Sequence, residues 1–324
     1  DVPVDVAEVV TAGVLEVVGE LELPVDHAHN GMTVLSDGMV VTRNLEFDQS
    51  KKSWFTVFDP KTMEVVQRYE FVGSSIGRFS VDAISGADHI YATTATHVHR
   101  VIYKDQTLTL DKGWCASYDL PGQDQSFAWC NVVNKDNVWF MDMGNNRLSE
   151  QLMTAYPVGS QPLDFGDGNQ TTHHAPVHVF RVSTRDSSDM DVLTPFGDPD
   201  GYQGAAPLFV ADKSILVAFD THNGKTGAWR YDGPGQFTKI WVHNIRNTNQ
   251  ILYFPDTGEL VLDDLKDDFR VEAVVVDIET GKEKGRVDTQ TVFMSAMAWG
   301  PGFNRDVYAG SGMSGALYRV YVAD

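Results

Sequence analysis

The chain has 324 residues and a formal net charge of -20, from 45 Asp and Glu against 25 Lys and Arg. With 42% hydrophobic, 22% charged and 11% aromatic residues its composition is globular, which excludes wholesale disorder, a coiled coil and a collagen-like chain. A surface this negative repels phosphate backbones and anionic membranes, and no apolar run reaches the ~20 residues that span a bilayer, so neither nucleic-acid partners nor membrane insertion are expected.

Helical periodicity never extends beyond two turns. Short runs rich in Val, Ile, Tyr, Phe and Trp recur instead, punctuated by Gly, Asp, Asn and Pro, which reads as all-β. An isolated strand at 14–21 opens the chain. After it, one pattern repeats: a turn with Asp or Asn, a short β-rich run, then a polar stop. Ser36-Asp37-Gly38 leads into 39–42, Ala87-Asp88 into 89–92 and Asp136-Asn137 into 138–141. Ala211-Asp212-Lys213 leads into 215–218, Asp256-Thr257-Gly258 into 259–262 and Asn304-Arg305-Asp306 into 307–310. With Val40, Ile90, Val138, Ile215, Leu260 and Val307 as markers, the intervals are 50, 48, 77, 45 and 47. The long interval carries an insertion of about thirty residues, at about 148–176.

A second run follows each first one, at 54–58, 98–102, 177–182, 227–231, 271–276 and 316–321, across polar or Gly-rich links of hairpin type. An apolar run such as 32–35 or 294–299 precedes the turn, and an outer run such as 65–69 completes the unit. Four strands at a period of about 45–50 residues form a propeller blade. The sixth unit ends just after its third strand, and strand 14–21 is the natural fourth. The expected fold is therefore an all-β, six-bladed β-propeller closed by an N-terminal strand in the last blade. It forms a single domain over 1–324, with an all-β sandwich as the alternative.

The run Val138 to Leu148, with Asp142-Met143-Gly144-Asn145-Asn146-Arg147 at its centre, is similar to the strand–loop–strand core of the NHL repeat. The layout of 14–324 resembles the six-bladed propeller superfamily of SMP-30/gluconolactonase, paraoxonase and strictosidine-synthase-like proteins. That resemblance implies a divalent cation, usually calcium, held on the axis by Glu, Asn and Asp at the starts of innermost strands. This chain departs from the pattern. It has His27-Ala28-His29-Asn30-Gly31 where a Glu is expected, and Tyr202-Gln203-Gly204-Ala205 lacks the Asn-Gly pair. Asn247-Thr248-Asn249-Gln250 lacks the Asp. The family's metal residues are not carried over.

In a propeller the ligand face collects the starts of innermost strands and the links between second and third strands. The first set holds His27, His29, Asn30, Asp82, Trp129, Asn131, Gln203, Asn247, Asn249 and Ser295. His27 and His29 point to one side of a strand, where they can chelate a metal or act as base and orienting partner. The plain alternative is a solvent-facing loop. His97 and His99 share the spacing but fall on a third strand, where structure or surface is expected. The second set holds Asp142, Asp220 with His222, and Asp263, at matching places in three blades. Three carboxylates around one funnel repel unless a cation or bound protons sit between them, so they are the candidate metal ligands, with calcium the expected ion. Acidic residues filling exposed loops would explain the same pattern.

Cys115 and Cys130 lie fifteen positions apart, and either one bridge or two buried free thiols fits them. A start at Asp1 suits a cleaved export signal, and so does trimming; a periplasmic or secreted location is the expectation. The chain has no Gly-rich phosphate loop, no Gly-x-Ser-x-Gly elbow and no Cys-x-x-Cys, which argues against nucleotide hydrolysis and thiol redox chemistry. The leading expectation is a small-molecule hydrolase of the lactonase or esterase type. It would use His27, His29 and His222 as catalytic groups, and Asn30, Asp82, Trp129, Asn131 and Asn249 to bind substrate. A non-catalytic propeller that binds a ligand or protein is the alternative. A lyase or isomerase with a His acid/base pair comes third.

Overall fold

A computed structural model describes residues 13–23, 29–44, 53–71, 79–84, 87–94, 97–117, 128–134, 136–142, 179–193, 208–220, 224–233, 236–247, 251–268, 270–289, 294–299, 306–311 and 314–322. At 13–15, 30, 79–84, 87, 128–134, 141–142, 179, 192–193, 218–220, 233, 294–299 and 322 it describes the backbone alone. Among the described residues the regular structure is all strand, and no helix is long and apolar enough to cross a membrane.

Strand β1 (Gly13–Glu20) opens the chain but belongs to the last of six four-stranded antiparallel sheets. The first sheet holds β2 (His29–Val34), β3 (Val40–Asn44), β4 (Ser53–Phe58) and β5 (Val65–Phe71). The second holds β6 (Phe79–Ile84), β7 (Ala87–Thr93), β8 (His97–Lys104) and β9 (Thr107–Ser117). The third holds β10 (Ala128–Asn134), β11 (Asn137–Asp142), β12 (Val179–Ser183) and β13 (Met190–Leu193). The fourth holds β14 (Leu208–Val210), β15 (Ile215–Asp220), β16 (Lys225–Gly233) and β17 (Gln236–His243). The fifth holds β18 (Leu252–Phe254), β19 (Glu259–Leu265), β20 (Val271–Asp277) and β21 (Glu283–Asp288). The sixth runs β22 (Met294–Trp299), β23 (Asp306–Ser311), β24 (Ala316–Val322), and then β1 on its outer edge.

Hairpin turns explain the repeat of Asp, Asn and Gly. At the first, Gly38 adopts φ +87° and donates its N–H to Leu35 O at 2.9 Å, while Asp37 Oδ1 accepts from Met39 N–H at 3.0 Å. Only a residue tolerating positive φ closes so tight a turn without strain. Gly258, at φ +68°, does the same between β18 and β19.

The second and third strands read as unbroken apolar runs because their sheets are covered on both faces. In β7, Ile90 and Ala92 pack with Leu35, Val41 and Phe55 of the first sheet, while Tyr91 packs with Val138 and Phe140 of the third. In β19, Leu260 and Leu262 face the fourth sheet and Val261 faces the sixth. Phe209 and Trp229 join the fourth sheet to Trp139 of the third. A sixth cluster joins Tyr308 and Leu317 of the last sheet, with Leu21, to Met32, Val40 and Phe58 of the first. Each fully buried Val, Leu or Phe in these seams contributes ~1.5–3 kcal/mol.

The two ends of the chain meet in the last sheet. Strand β1 pairs with β24 in a register that sets Val14 against Tyr321, Glu16 against Arg319 and Val17 against Tyr318. Leu21 N–H continues the ladder to Gly315 O at 2.9 Å. A Cβ on Gly315 would stand 1.8 Å from Leu21 O, so this crossing requires glycine.

One expectation is corrected here. Cys115 is a free, exposed thiol, so it neither bridges to Cys130 nor lies buried. The reason is strand alternation: Trp114 and Ala116 on either side take the inward face of β9. The insertion expected at 148–176 lies outside the described residues.

Candidate functional site

In the first sheet, antiparallel pairing brings the start of the innermost strand, the end of the second and the start of the third to one end. His29 stands opposite Asn44, and Asn44 Oδ1 accepts from Trp54 N–H at 2.5 Å. Buried polar residues include His29, Asn44 and Ser53 in the first sheet, Thr93 at the end of β7, Asn247, Asp263 in β19 and Ser311 at the end of β23.

His29 is fully enclosed at the seam of the first and last sheets. Its Nδ1 lies 2.7 Å from Thr42 Oγ1, and the Thr42 hydroxyl donates to Gly31 O at 3.1 Å. That leaves Thr42 to accept from Nδ1–H, the tautomer that keeps the basic lone pair on Nε2. Burial pushes the imidazole down to about 4, and a hydrogen bond to the Gly315 backbone only partly opposes it. A Cβ on Gly310 would meet the His29 ring at 2.7 Å, so the imidazole occupies space that only glycine leaves.

Beside it in the first sheet, Arg43 is a buried cation. Its Nε donates to Ser53 Oγ at 3.0 Å and its Nη1 to Thr93 O at 2.7 Å, tying the first sheet to the second. The guanidinium also lies over the Phe55 and Phe71 rings, at 5.6 and 5.0 Å.

At the fifth sheet, residues 245–247 run beside the end of β19 and are pinned at four points. Thr226 Oγ1 donates to Ile245 O at 2.6 Å, and Arg246 N–H donates to Asp264 Oδ1 at 2.9 Å. Leu265 N–H reaches Arg246 O at 3.1 Å, and Asp263 N–H donates to Asn247 Oδ1 at 3.0 Å. Burial pushes the Asp264 carboxyl up. Hydrogen bonds from Lys266, Arg246 N–H and Arg286, with the charge of Lys266, outweigh that and hold it below the usual range. This anchored frame leaves the Asn247 Nδ2 hydrogens with no acceptor, although the side chain is 0% exposed. Rotating the amide would aim Nδ2 at the Asp263 N–H, donor against donor, so its orientation is fixed. An enclosed donor without an acceptor costs ~1–3 kcal/mol.

Of the residues the sequence nominates, His27, His222 and Asn249 lie outside the described residues. Asn30 lies in β2, Trp129 and Asn131 in β10, and Asp142 and Asp220 are the last residues of β11 and β15. For these the backbone alone is described. Asp82 is the fourth residue of β6, paired with His89, rather than at that strand's start. His29 and Asp263 are described in full, on different sheets, each with its own polar partner. Sequence reading placed Asn247 among the strand starts without giving it a role, and Arg43 was not singled out.

Among the described residues no three His, Cys, Asp or Glu side chains form a group able to hold a metal. The corner at Asp263 gives a chemical test of a cation there. Asn247 turns its oxygen to the Asp263 N–H and keeps enclosed N–H donors, which suit an oxygen acceptor and not a cation.

No known protein family matches the chain, and no curated protein matches it. Among solved structures it is similar to a luciferin-regenerating enzyme, with TM-score 0.59 and 10% identity over 96% of this chain and 95% of that one. It is also similar to the Myceliophteria thermophila Cps50 (Swd1) β-propeller domain, with TM-score 0.52 and 10% identity over 96% of this chain and 100% of that one. At such identity the likeness shows the fold alone. The chain is a β-propeller, and its six sheets fit six blades.

Proposed function

We propose that the six sheets are the blades of a closed ring, and that the face carrying His29, Asn247 and Asp263 hydrolyses a small lactone or ester in an axial funnel. The observation that carries this reading is the enclosed, unsatisfied amide of Asn247, five residues before β18. A substrate carbonyl admitted by an opening of this enclosed corner would accept from Nδ2–H. When water attacks the carbonyl carbon, negative charge grows on that oxygen, and the amide donor, its orientation held by the Asp263 N–H, stabilises it. The attacking water gives its proton to a base, for which His27 and His222 are the nominated groups. The ring or ester C–O bond then breaks, its oxygen takes up a proton, and a hydroxy acid, or an acid and an alcohol, leaves. Similarity in fold to a luciferin-regenerating enzyme is compatible with small-molecule chemistry and adds nothing about the substrate.

The test is a panel of lactones and aryl esters, assayed with purified protein in calcium and again in a chelator. Turnover in both supports the reading as written. Turnover in calcium alone would mean that a cation, and not the Asn247 amide, polarises the carbonyl. No turnover in either removes the hydrolase.

A second reading, a non-catalytic propeller that binds a ligand or a protein, is favoured by one observation. His29, the described base candidate, is enclosed and weakly basic, held to about 4 by burial. Ligand-dependent melting shifts without turnover would select this reading.

A further inference from the structure

We infer that Asp264 is a positioning residue for the Asn247 amide, acting through the backbone of Arg246. The use of that amide in hydrolysis rests on the function proposed above, whereas the coupling of the two residues rests on geometry. Asp264 is enclosed, and its two oxygens divide their partners. Oδ1 accepts from Arg246 N–H at 2.9 Å, one residue before Asn247. Oδ2 accepts from Lys266 Nζ at 2.6 Å and from Arg286 Nη1 at 3.0 Å. Both cations also reach Glu272 of β20, and Arg286 is held from its other side by Glu283. The carboxylate is thus fixed by two charges on one oxygen and spends the other on the segment that carries Asn247.

Other contacts hold that segment less firmly. Thr226 Oγ1 on Ile245 O, Leu265 N–H on Arg246 O and Asp263 N–H on Asn247 Oδ1 all join neutral groups. The pair of Arg246 Nη1 with Asp267 is exposed and adds little. The bond to Asp264 is the one with an ionised acceptor, and such bonds are about twice as strong as neutral ones. An isosteric change separates this charge from the space it fills. In Asp264→Asn one oxygen must serve both sides. With that oxygen on Lys266 and Arg286, the new NH2 meets the Arg246 N–H donor against donor. With it on Arg246, the NH2 faces two cations. Two cations outweigh one N–H, so residues 245–247 are the part released.

Residue-resolved amide hydrogen exchange by NMR tests this on the full chain, with no substrate needed. In the wild type, Arg246, Asp263 and Leu265 amides should exchange at matching rates once corrected for intrinsic chemistry, because one movement of 245–247 breaks all three bonds. In Asp264→Asn the Arg246 and Asp263 amides should exchange roughly tenfold faster or more, while β20 amides keep wild-type rates. Glu283→Gln, which touches Arg286 and not the segment, should leave both amides unchanged. Unmoved Arg246 and Asp263 amides in Asp264→Asn, equal acceleration throughout the fifth sheet, or a Glu283→Gln effect as large would overturn the proposal. Should Asp264→Asn not fold, the wild type decides: unequal rates at the three amides show that 245–247 does not move as a unit, and overturn it. Where a lactone or ester is turned over, Asp264→Asn should lower kcat roughly tenfold with KM nearly unchanged, and kcat equal to wild type would overturn the positioning role. A wild type without turnover removes the hydrolase and leaves the coupling to the exchange rates.

Discussion

Arg319 of the last strand stands directly opposite Glu16 of the first, and its guanidinium lies between two acids. Asp306 accepts from Nε and Nη2 at 3.0 and 2.9 Å, and Glu16 lies 3.8 Å from Nη1. Asp306 is enclosed and Glu16 exposed, so the pair with Asp306 anchors β24 while the contact to Glu16 is a weak surface one. What holds the two ends of the chain together is therefore the ladder between β1 and β24 and the apolar seam beneath it.

Removing residues 1–20 should uncover the edge of β24 and open the seam of Leu317, Tyr308 and Met32. The melting midpoint is expected to fall by roughly 10 °C or more, with aggregation through the bared edge. Glu16→Gln should shift it by no more than ~2 °C. Thermal melts of the two variants check this. A truncated chain melting like the full one would show that β1 does not complete the last sheet.

Enclosure of His29 has a pH signature. The imidazole is neutral in the folded chain down to about pH 4, whereas unfolded it takes a proton near 6.5. Between those values the unfolded state binds more protons, so stability is complete above pH 6.5 and is lost as pH falls toward 4. His29 alone should remove about 2 kcal/mol between pH 7.5 and pH 5. His99, also pushed to about 4 by burial and then by His97 and Arg43, adds in the same direction. Denaturant unfolding of wild type and His29→Gln at both pH values is the check. The variant should start less stable and lose less on acidification. Equal losses would mean that His29 is not enclosed as a neutral ring.

Arg43 should not tolerate replacement. Arg43→Leu keeps an apolar body against Phe55 and Phe71 but strips Ser53 Oγ and Thr93 O of their donor. A loss of ~2–4 kcal/mol is expected, read as a lower urea midpoint at unchanged slope. Arg43→Lys should recover only part of it, since an ammonium cannot reach both acceptors as a planar fork does. A midpoint equal to wild type in Arg43→Leu would show that the guanidinium does not clasp the two sheets.

Much of the architecture was legible because two local signals coincide. Turns such as the one at Gly38 demand positive φ, and the strands after them are apolar on both faces because each sheet is covered twice. The outer strands were harder to read. Strand β9 alternates Leu108, Trp114 and Ala116 with exposed polar residues, and a bulge between His99 and Val101 resets its register. Sequence names two outer strands, 14–21 for the last sheet and 65–69 for the first. The site was less legible still. His27 and His29 suggested a solvent-facing pair, and nothing in that spacing shows that Gly310 makes room to enclose the second ring. Asn247 takes its meaning from an N–H sixteen residues away on β19, and Asp264 from an N–H eighteen residues back. Such contacts belong to the fold and leave no mark on local sequence.

The most direct measurement is the rate of lactone and aryl-ester hydrolysis by wild type and Asn247→Asp, with Asn247→Ala as a second variant. Asparagine to aspartate keeps an acceptor for the Asp263 N–H and deletes the donors proposed to meet the substrate carbonyl. The account expects a substrate to be turned over by the wild type, with kcat falling ~10²–10³-fold in both variants while the melting midpoints show them folded. A wild type inert toward the whole panel, or folded variants as fast as wild type, would contradict it.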